Sequence, residues 1–261
     1  MGSPGYRLAV TSHPQALARH PEHREAIARI GWCIDQRRIG VIAGEVGAGK
    51  TVAARAALAG LEPARHQIIY IPDPTIGIRG IRSAIVTALG TTPAFFSGAL
   101  VAQAASLLAG ELDDRSRLPV IVIDEAHLLT NEDLEALRML SNVSMDTESH
   151  FALLLIGQPT LRRRLKLAVM AALDQRIGTR YTLTGMSLED TNDYIRGHLS
   201  FAGRADPLFS DDTITTIHQA SRGYPRTVNN LALASLMAAR STQSPMVDQT
   251  AAESAVTEFS E

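Results

Sequence analysis

The sequence predicts an α/β fold: a mostly parallel five-stranded sheet with helices on both faces, followed by a small all-helical domain. Three observations predict it. Five short apolar runs rich in Ile and Val, at 40–43, 67–71, 120–123, 151–156 and 181–183, are separated by helix-length segments, the alternation a parallel sheet with crossover helices requires. A glycine-rich turn, GEVGAGKT at 44–51, joins the first run to a helical pattern. After Gly185 the chain reads as helices alone.

Residues 1–22, with His13-Pro14 and His20-Pro21, read as an extended lead-in. Residues 22–36 follow as an amphipathic helix with Ala26, Ile30 and Cys33 or Ile34 on one face. TVAARAALAGL forms the helix after the glycine-rich turn. In the C-terminal part, Ser187 with an acidic first turn starts one helix, and Ser210 starts another that ends at Gly223. A third helix covers 224–241 and a fourth 246–258. The expected organisation is therefore a lead-in at 1–22, an α/β core at 23–185 and a helical domain at 186–261. Trp32 and the methionines are expected in the core.

The bulk numbers exclude several classes. The 261 residues are 45% hydrophobic and 20% charged, the balance of a globular protein. No apolar run reaches membrane-spanning length, and the N-terminus lacks the pattern of a secretory signal. A single cysteine, Cys33, forbids an intrachain disulfide and suits a reducing cytoplasm; inside IGWCID it reads as a small core residue. A net charge of −2 argues against nucleic-acid binding by sheer charge but leaves room for a local basic face. Lys50 and Lys166 are the lysines of a chain otherwise rich in arginine.

Residues 44–51 satisfy G-x-x-x-x-G-K-S/T between a strand and a helix. In such a loop glycines let backbone N–H groups converge on phosphate oxygens, and the helix N-terminus adds favourable partial charge. Gly44, Glu45, Val46, Gly47, Ala48, Gly49, Lys50, Thr51 and Val52 are thus the expected nucleotide contacts. Lys50 reaches the β- and γ-phosphates and the Thr51 hydroxyl ligates Mg²⁺. PVIVIDEAHLL at 119–129 ends a strand in Asp124-Glu125. Asp124 suits Mg²⁺ held through water, and Glu125 suits the base that polarises the attacking water. The two motifs together imply an ATPase using ATP and Mg²⁺. His127 reads as a local hydrogen-bonding residue.

GEVGAGKT and VIVIDEAHLL together resemble the AAA+ superfamily. HREAIARI (23–30), LLLIGQPTLRRRL (153–165), LDQRIGTRYTLTGMSLEDTNDYIRGHL (173–199) and LFSDDTITTIHQASRGYPRTVNNLALASL (208–236) resemble its ExeA-like branch. That branch includes transposition ATPases similar to TniB, TnsC and, more distantly, MuB. The resemblance covers nearly the whole chain from about residue 20. It implies a P-loop AAA+ core with a helical lid, and roles position by position. Gln158, after the strand FALLLIG, matches the polar sensor; capping the strand end is its other reading. Arg176 in LDQRI matches the arginine finger supplied to a neighbouring subunit, with Arg180 its near competitor. Arg226 in GYPR matches the second sensor. Such groups act by stabilising charge on the γ-phosphate.

The resemblance implies an ATP-dependent helper of DNA transposition that assembles on duplex DNA as a ring or helical filament and recruits or activates a transposase. The alternative is an ATPase of a secretion or envelope-assembly machine acting on a protein partner; the longer ExeA proteins add a membrane helix and a wall-binding domain, and the expectation here is no membrane contact. Two stretches bear on DNA. Residues 161–180 carry six basic residues against one acid, with Arg162, Arg163, Arg164 and Lys166 dense enough for DNA or for a subunit interface. In related ATPases DNA is gripped by elements after the second strand; here Arg79, Arg82, Thr91 and Thr92 are the candidates. So few contacts per copy gain force when many copies line one backbone. No base-reading element is evident, so binding should be sequence-independent.

Overall fold

The computed structural model describes residues 20–141, 149–204 and 206–260. The lead-in expected at 1–22 falls mostly outside them. Helix α1 (Pro21–Asp35) starts with proline at its first position, where the missing N–H costs nothing. Pro21 and Glu22 therefore belong to the helix. Its inner face is Ala26, Ile30, Cys33 and Ile34, all fully buried.

Five strands follow: β1 (Ile39–Gly44), β2 (His66–Ile71), β3 (Leu118–Ile123), β4 (Ala152–Gly157) and β5 (Ile177–Leu183), in the order β2-β3-β4-β1-β5. β1 pairs in parallel with β4, β4 with β3 and β3 with β2. β1 and β4 are buried along their whole length, which their unbroken apolar sequences require. β2 lies at the edge and alternates buried with open positions. The last strand begins four residues before the apolar run read from sequence, because IGTR continues as strand with Ile177 and Thr179 facing inward and Gly178 exposed.

Between the strands run α2 (Lys50–Ala59), α3 (Gly77–Ala88), α4 (Ser97–Asp113), α5 (Asn131–Leu140), α6 (Pro159–Leu165) and the short α7 (Ala171–Asp174). The start of α5 is a capping box in which Thr130 and Asp133 satisfy each other's backbone N–H groups, a device that contributes about 1 kcal/mol. The C-terminal helices are α8 (Leu188–Phe201), α9 (Asp211–Ser221), α10 (Pro225–Ser241) and α11 (Gln249–Ser260). Ser187 and Ser210 cap α8 and α9 as expected. The fourth helix starts at Gln249, not 246, because Val247 instead bridges to Phe209, its N–H donating to the Leu208 carbonyl.

The chain divides into two compact units. One comprises residues 25–45 and 54–182, with a core from the inner strands and their helices, including Ile121, Ile123, Leu153 and Leu155. The other comprises residues 20–24, 46–53 and 183–260 and is built on Tyr194, Ile217, Val228 and Leu231, with Val52 packed against them. Trp32, expected in the core, is 49% exposed, as are Met139, Met237 and Met246 in similar degree; Met170 and Met186 are buried. Among the described residues no helix is long and apolar enough to cross a membrane.

Candidate active site

β1, β4 and β3 are parallel neighbours, so their C-terminal ends share one edge of the sheet. At that edge β1 delivers Gly44 and Glu45, β4 delivers Gly157 and Gln158, and β3 delivers Asp124 and Glu125. β1 and β3 are two strand spacings apart, about 10 Å.

In the sheet unit, Asp124 is buried and its backbone N–H donates to the Ile71 carbonyl at 3.0 Å. One carboxylate oxygen accepts the Tyr70 hydroxyl at 3.0 Å and the other accepts the Glu125 N–H at 2.9 Å. Burial, then the Asp124 charge, pushes the Tyr70 phenol up to about 12, so it stays a donor. Glu125 has φ 49°, a left-handed conformation rare for a residue with a side chain, costing on the order of 1 kcal/mol. That strain turns the chain from β3 into the 3-10 turn Ala126–Leu128. His127 Nδ1 lies 3.3 Å from the Glu125 carboxylate, close enough for an ion pair, yet without the alignment of a hydrogen bond. Gln158 precedes α6 at its N-cap position, but its side chain makes no capping bond.

In the second unit, Gly47 and Gly49 have φ 83° and 88°, values that favour glycine. The peptide plane alternation they allow is that of an anion-binding nest. Lys50 is buried at the start of α2, and Thr51 is half-buried beside it. The Arg226 backbone N–H, one of the unbonded donors at the start of α10, donates to the Gly47 carbonyl at 3.3 Å. A Cβ on Gly47 would lie 2.8 Å from Arg226 Cβ. His23, 1% exposed, has its Nε2 3.2 Å from the Ala48 carbonyl oxygen. Burial lowers its pKa to about 4, so the ring is neutral. Within this unit the loop's glycines and Lys50 fit a polyphosphate, and the Thr51 hydroxyl is a hard oxygen donor of the kind Mg²⁺ prefers; in the sheet unit, taken by itself, the Asp124 carboxylate is a donor of the same kind.

Arg176, just before β5, donates to the Ser141 hydroxyl at 3.2 Å. It lines a polar cleft of about 590 Å³ with Arg37, Arg38, Ser149 and Gln175. Arg180 is instead tied to Asp174, by the side chain at 2.7 Å and by the carbonyl. Of the basic run, Arg164 turns inward to the His127 carbonyl at 3.2 Å, with burial lowering its pKa, so it is not on a solvated face. Arg162 reaches Thr182, and Arg163 and Lys166 are exposed.

Arg79 is exposed, donates to the Phe95 carbonyl at 2.8 Å and lies over the Phe95 ring at 5.9 Å. Phe95 and Phe96, 79% and 75% exposed, meet edge to face. Thr91 and Thr92 are exposed, whereas Arg82 is half-buried and its Nε has no hydrogen-bond partner among the described residues. No acid occurs from 74 to 110. Sequence reasoning missed Tyr70, His23 and the Phe95-Phe96 pair; two adjacent aromatics in an acid-free stretch were the available signal for the last.

A phosphate loop after the inner strand β1, an acidic pair after β3 and the order β2-β3-β4-β1-β5 define a P-loop ATPase of the AAA+ class. Residues 34–165, half of the chain, match the AAA domain family, and the chain belongs to it. General secretion pathway protein A of Aeromonas hydrophila is 32% identical over 240 residues, covering 89% of this chain and 43% of that protein. The chain thus spans less than half the length of this curated relative. The Aeropyrum pernix ORC1 protein in complex with DNA matches with a TM-score of 0.69 at 16% identity, over 99% of this chain and 71% of that one. Cdc6p from Pyrobaculum aerophilum gives 0.62 at 18%, over 94% and 66%. The Thermotoga maritima RuvB Holliday junction branch migration motor gives 0.59 at 18%, over 89% and 67%. At these identities the structures share the fold.

Proposed function

We propose that this ATPase is a DNA transposition helper: its ATP-bound copies assemble on duplex DNA and recruit or activate a transposase, and hydrolysis disassembles them. The observation that carries the DNA part is the acid-free stretch 74–110, where Arg79 stands beside the exposed Phe95-Phe96 pair. Cationic and aromatic groups in a stretch with no acid of its own suit a polyanion with stackable bases. Each copy offers few such contacts, so affinity comes from assembly.

In this reading Lys50 and the loop hold the phosphates of ATP, and Thr51 and Asp124 hold Mg²⁺. Glu125 polarises the attacking water and Gln158 senses the γ-phosphate. Arg176 serves the nucleotide of an adjacent copy, and Arg226 acts from a lid formed by residues 186–261, with residues 23–185 as the core. The chemistry supplied by the metal is charge neutralisation on the phosphates. A second reading, an ATPase of a secretion machine acting on a protein partner, is favoured by the 32% identity to General secretion pathway protein A.

Duplex-DNA binding with no nucleotide, with ADP and with a slowly hydrolysed ATP analogue, followed by electron microscopy, separates the two. Rings or filaments on DNA that need the ATP analogue, weakened by Arg79→Ala, are the expected result. Nucleotide binding with no DNA association in any state would overturn the transposition reading in favour of the second.

A further inference from the structure

His23 lies 25 residues before the carbonyl it touches and belongs to no part of the phosphate-loop motif. A carbonyl only accepts, so Nε2 carries the ring proton and donates to Ala48; Nδ1 is buried with no hydrogen-bond partner among the described residues. Burying a bare ring nitrogen is unfavourable, yet the ring is held there. A Cβ on Gly49 would sit 2.5 Å from His23 Nε2. The imidazole therefore occupies the space that glycine leaves open at position 49.

The peptide between Ala48 and Gly49 is planar and trans, so its C=O and N–H point in opposite directions. Drawing the Ala48 carbonyl to His23 turns the Gly49 N–H to the other side of the loop. The preceding carbonyl, Gly47, is drawn off in the same way by the Arg226 N–H. With successive carbonyls anchored outward, the following N–H groups are aimed without waiting for the ligand, and preorganised donors are what an oxyanion site needs.

We propose that His23 is a positioning residue for ATP binding: its Nε2–H fixes the Ala48–Gly49 peptide so that the loop is preset for phosphate. His23 acts through the loop it touches. The experiment compares His23→Leu, which removes the donor, with His23→Gln, whose amide nitrogen reaches as far as Nε2, and His23→Asn, whose amide falls short. Equilibrium binding of ATP and ADP, KM, kcat and nucleotide-free melting temperature are measured for each.

The Leu and Asn variants should weaken nucleotide binding and raise KM roughly tenfold, the effect of one lost buried hydrogen bond, with kcat changed far less. The Gln variant should return to within about threefold of the parent. If the Leu variant fails to fold, the contrast between Asn and Gln carries the test. Nucleotide affinity that follows melting temperature alone, with Gln no better than Asn, would overturn the proposal, as would parental affinity in the Leu variant.

Discussion

Replacing Gly49 by alanine tests the loop geometry from the other side. Position 49 has φ 88°, and its new Cβ would lie 2.5 Å from His23 Nε2, closer than real contacts allow. His23 is 1% exposed and cannot swing into solvent. The left-handed backbone costs about 1–2 kcal/mol for alanine, and overpacking adds about 1–3 kcal/mol. The expected loss is roughly 2–5 kcal/mol, a fall in melting temperature on the order of 10 °C for a chain of this size. Gly31→Ala is the internal control. It lies within α1, and a Cβ there would meet nothing within 4 Å among the described residues, so alanine should stabilise by about 0.5–1 kcal/mol. Differential scanning calorimetry without nucleotide reads both. Combining Gly49→Ala with His23→Ala should cost less than the sum of the two, since the clash is removed. Unchanged stability in Gly49→Ala, or strict additivity in the pair, would refute the interlock of His23 with the loop.

Stability should fall in acid through the same histidine. Its folded pKa of about 4 lies below the ordinary 6.5, so the unfolded chain takes up the proton first. The contribution of the neutral ring is whole above pH 6.5 and lost by about pH 4, roughly 3 kcal/mol in all. Urea unfolding across that window should show a steeper decline for the parent than for His23→Gln; equal slopes would count against it. Glu125→Gln should keep ATP affinity while turnover drops roughly 100-fold or more, and loss of nucleotide binding would remove Glu125 from its assigned role. Gly223→Ala should destabilise strongly, because its Cβ would meet the Met186 carbonyl oxygen at 2.1 Å and its φ is 71°; a melting temperature equal to the parent's would contradict that packing.

What the sequence made legible was local. The phosphate loop occupies eight consecutive residues, and Asp124-Glu125 closes an apolar run, so both stand out without any tertiary information. Ser187 and Ser210 announce their helices through short-range side-chain to backbone bonds. Contacts that depend on folding left no such trace. Tyr70 meets Asp124 across 54 residues, and Arg226 meets Gly47 across more than half of the chain. His23 opens the HREAIARI stretch, but nothing in that stretch shows that its ring meets a carbonyl 25 residues on. The last strand was read only from Tyr181, its start at Ile177 being missed because Gly178 and Arg180 break the apolar run while keeping strand alternation. Trp32 was misplaced because it was assigned to the core by its residue type although it lies off the Ala26, Ile30, Cys33 and Ile34 face of its helix.

Assembly-coupled hydrolysis is tested most directly by mixing two inactive variants. Arg176→Ala retains Glu125 and its own nucleotide site, whereas Glu125→Gln retains Arg176 and binds ATP without turning it over. If Arg176 serves an adjacent copy, the mixture should hydrolyse ATP well above either variant alone, with a rate that depends on the mixing ratio. Activity that stays at the floor at every ratio, with both variants folded and ATP-bound, would contradict it.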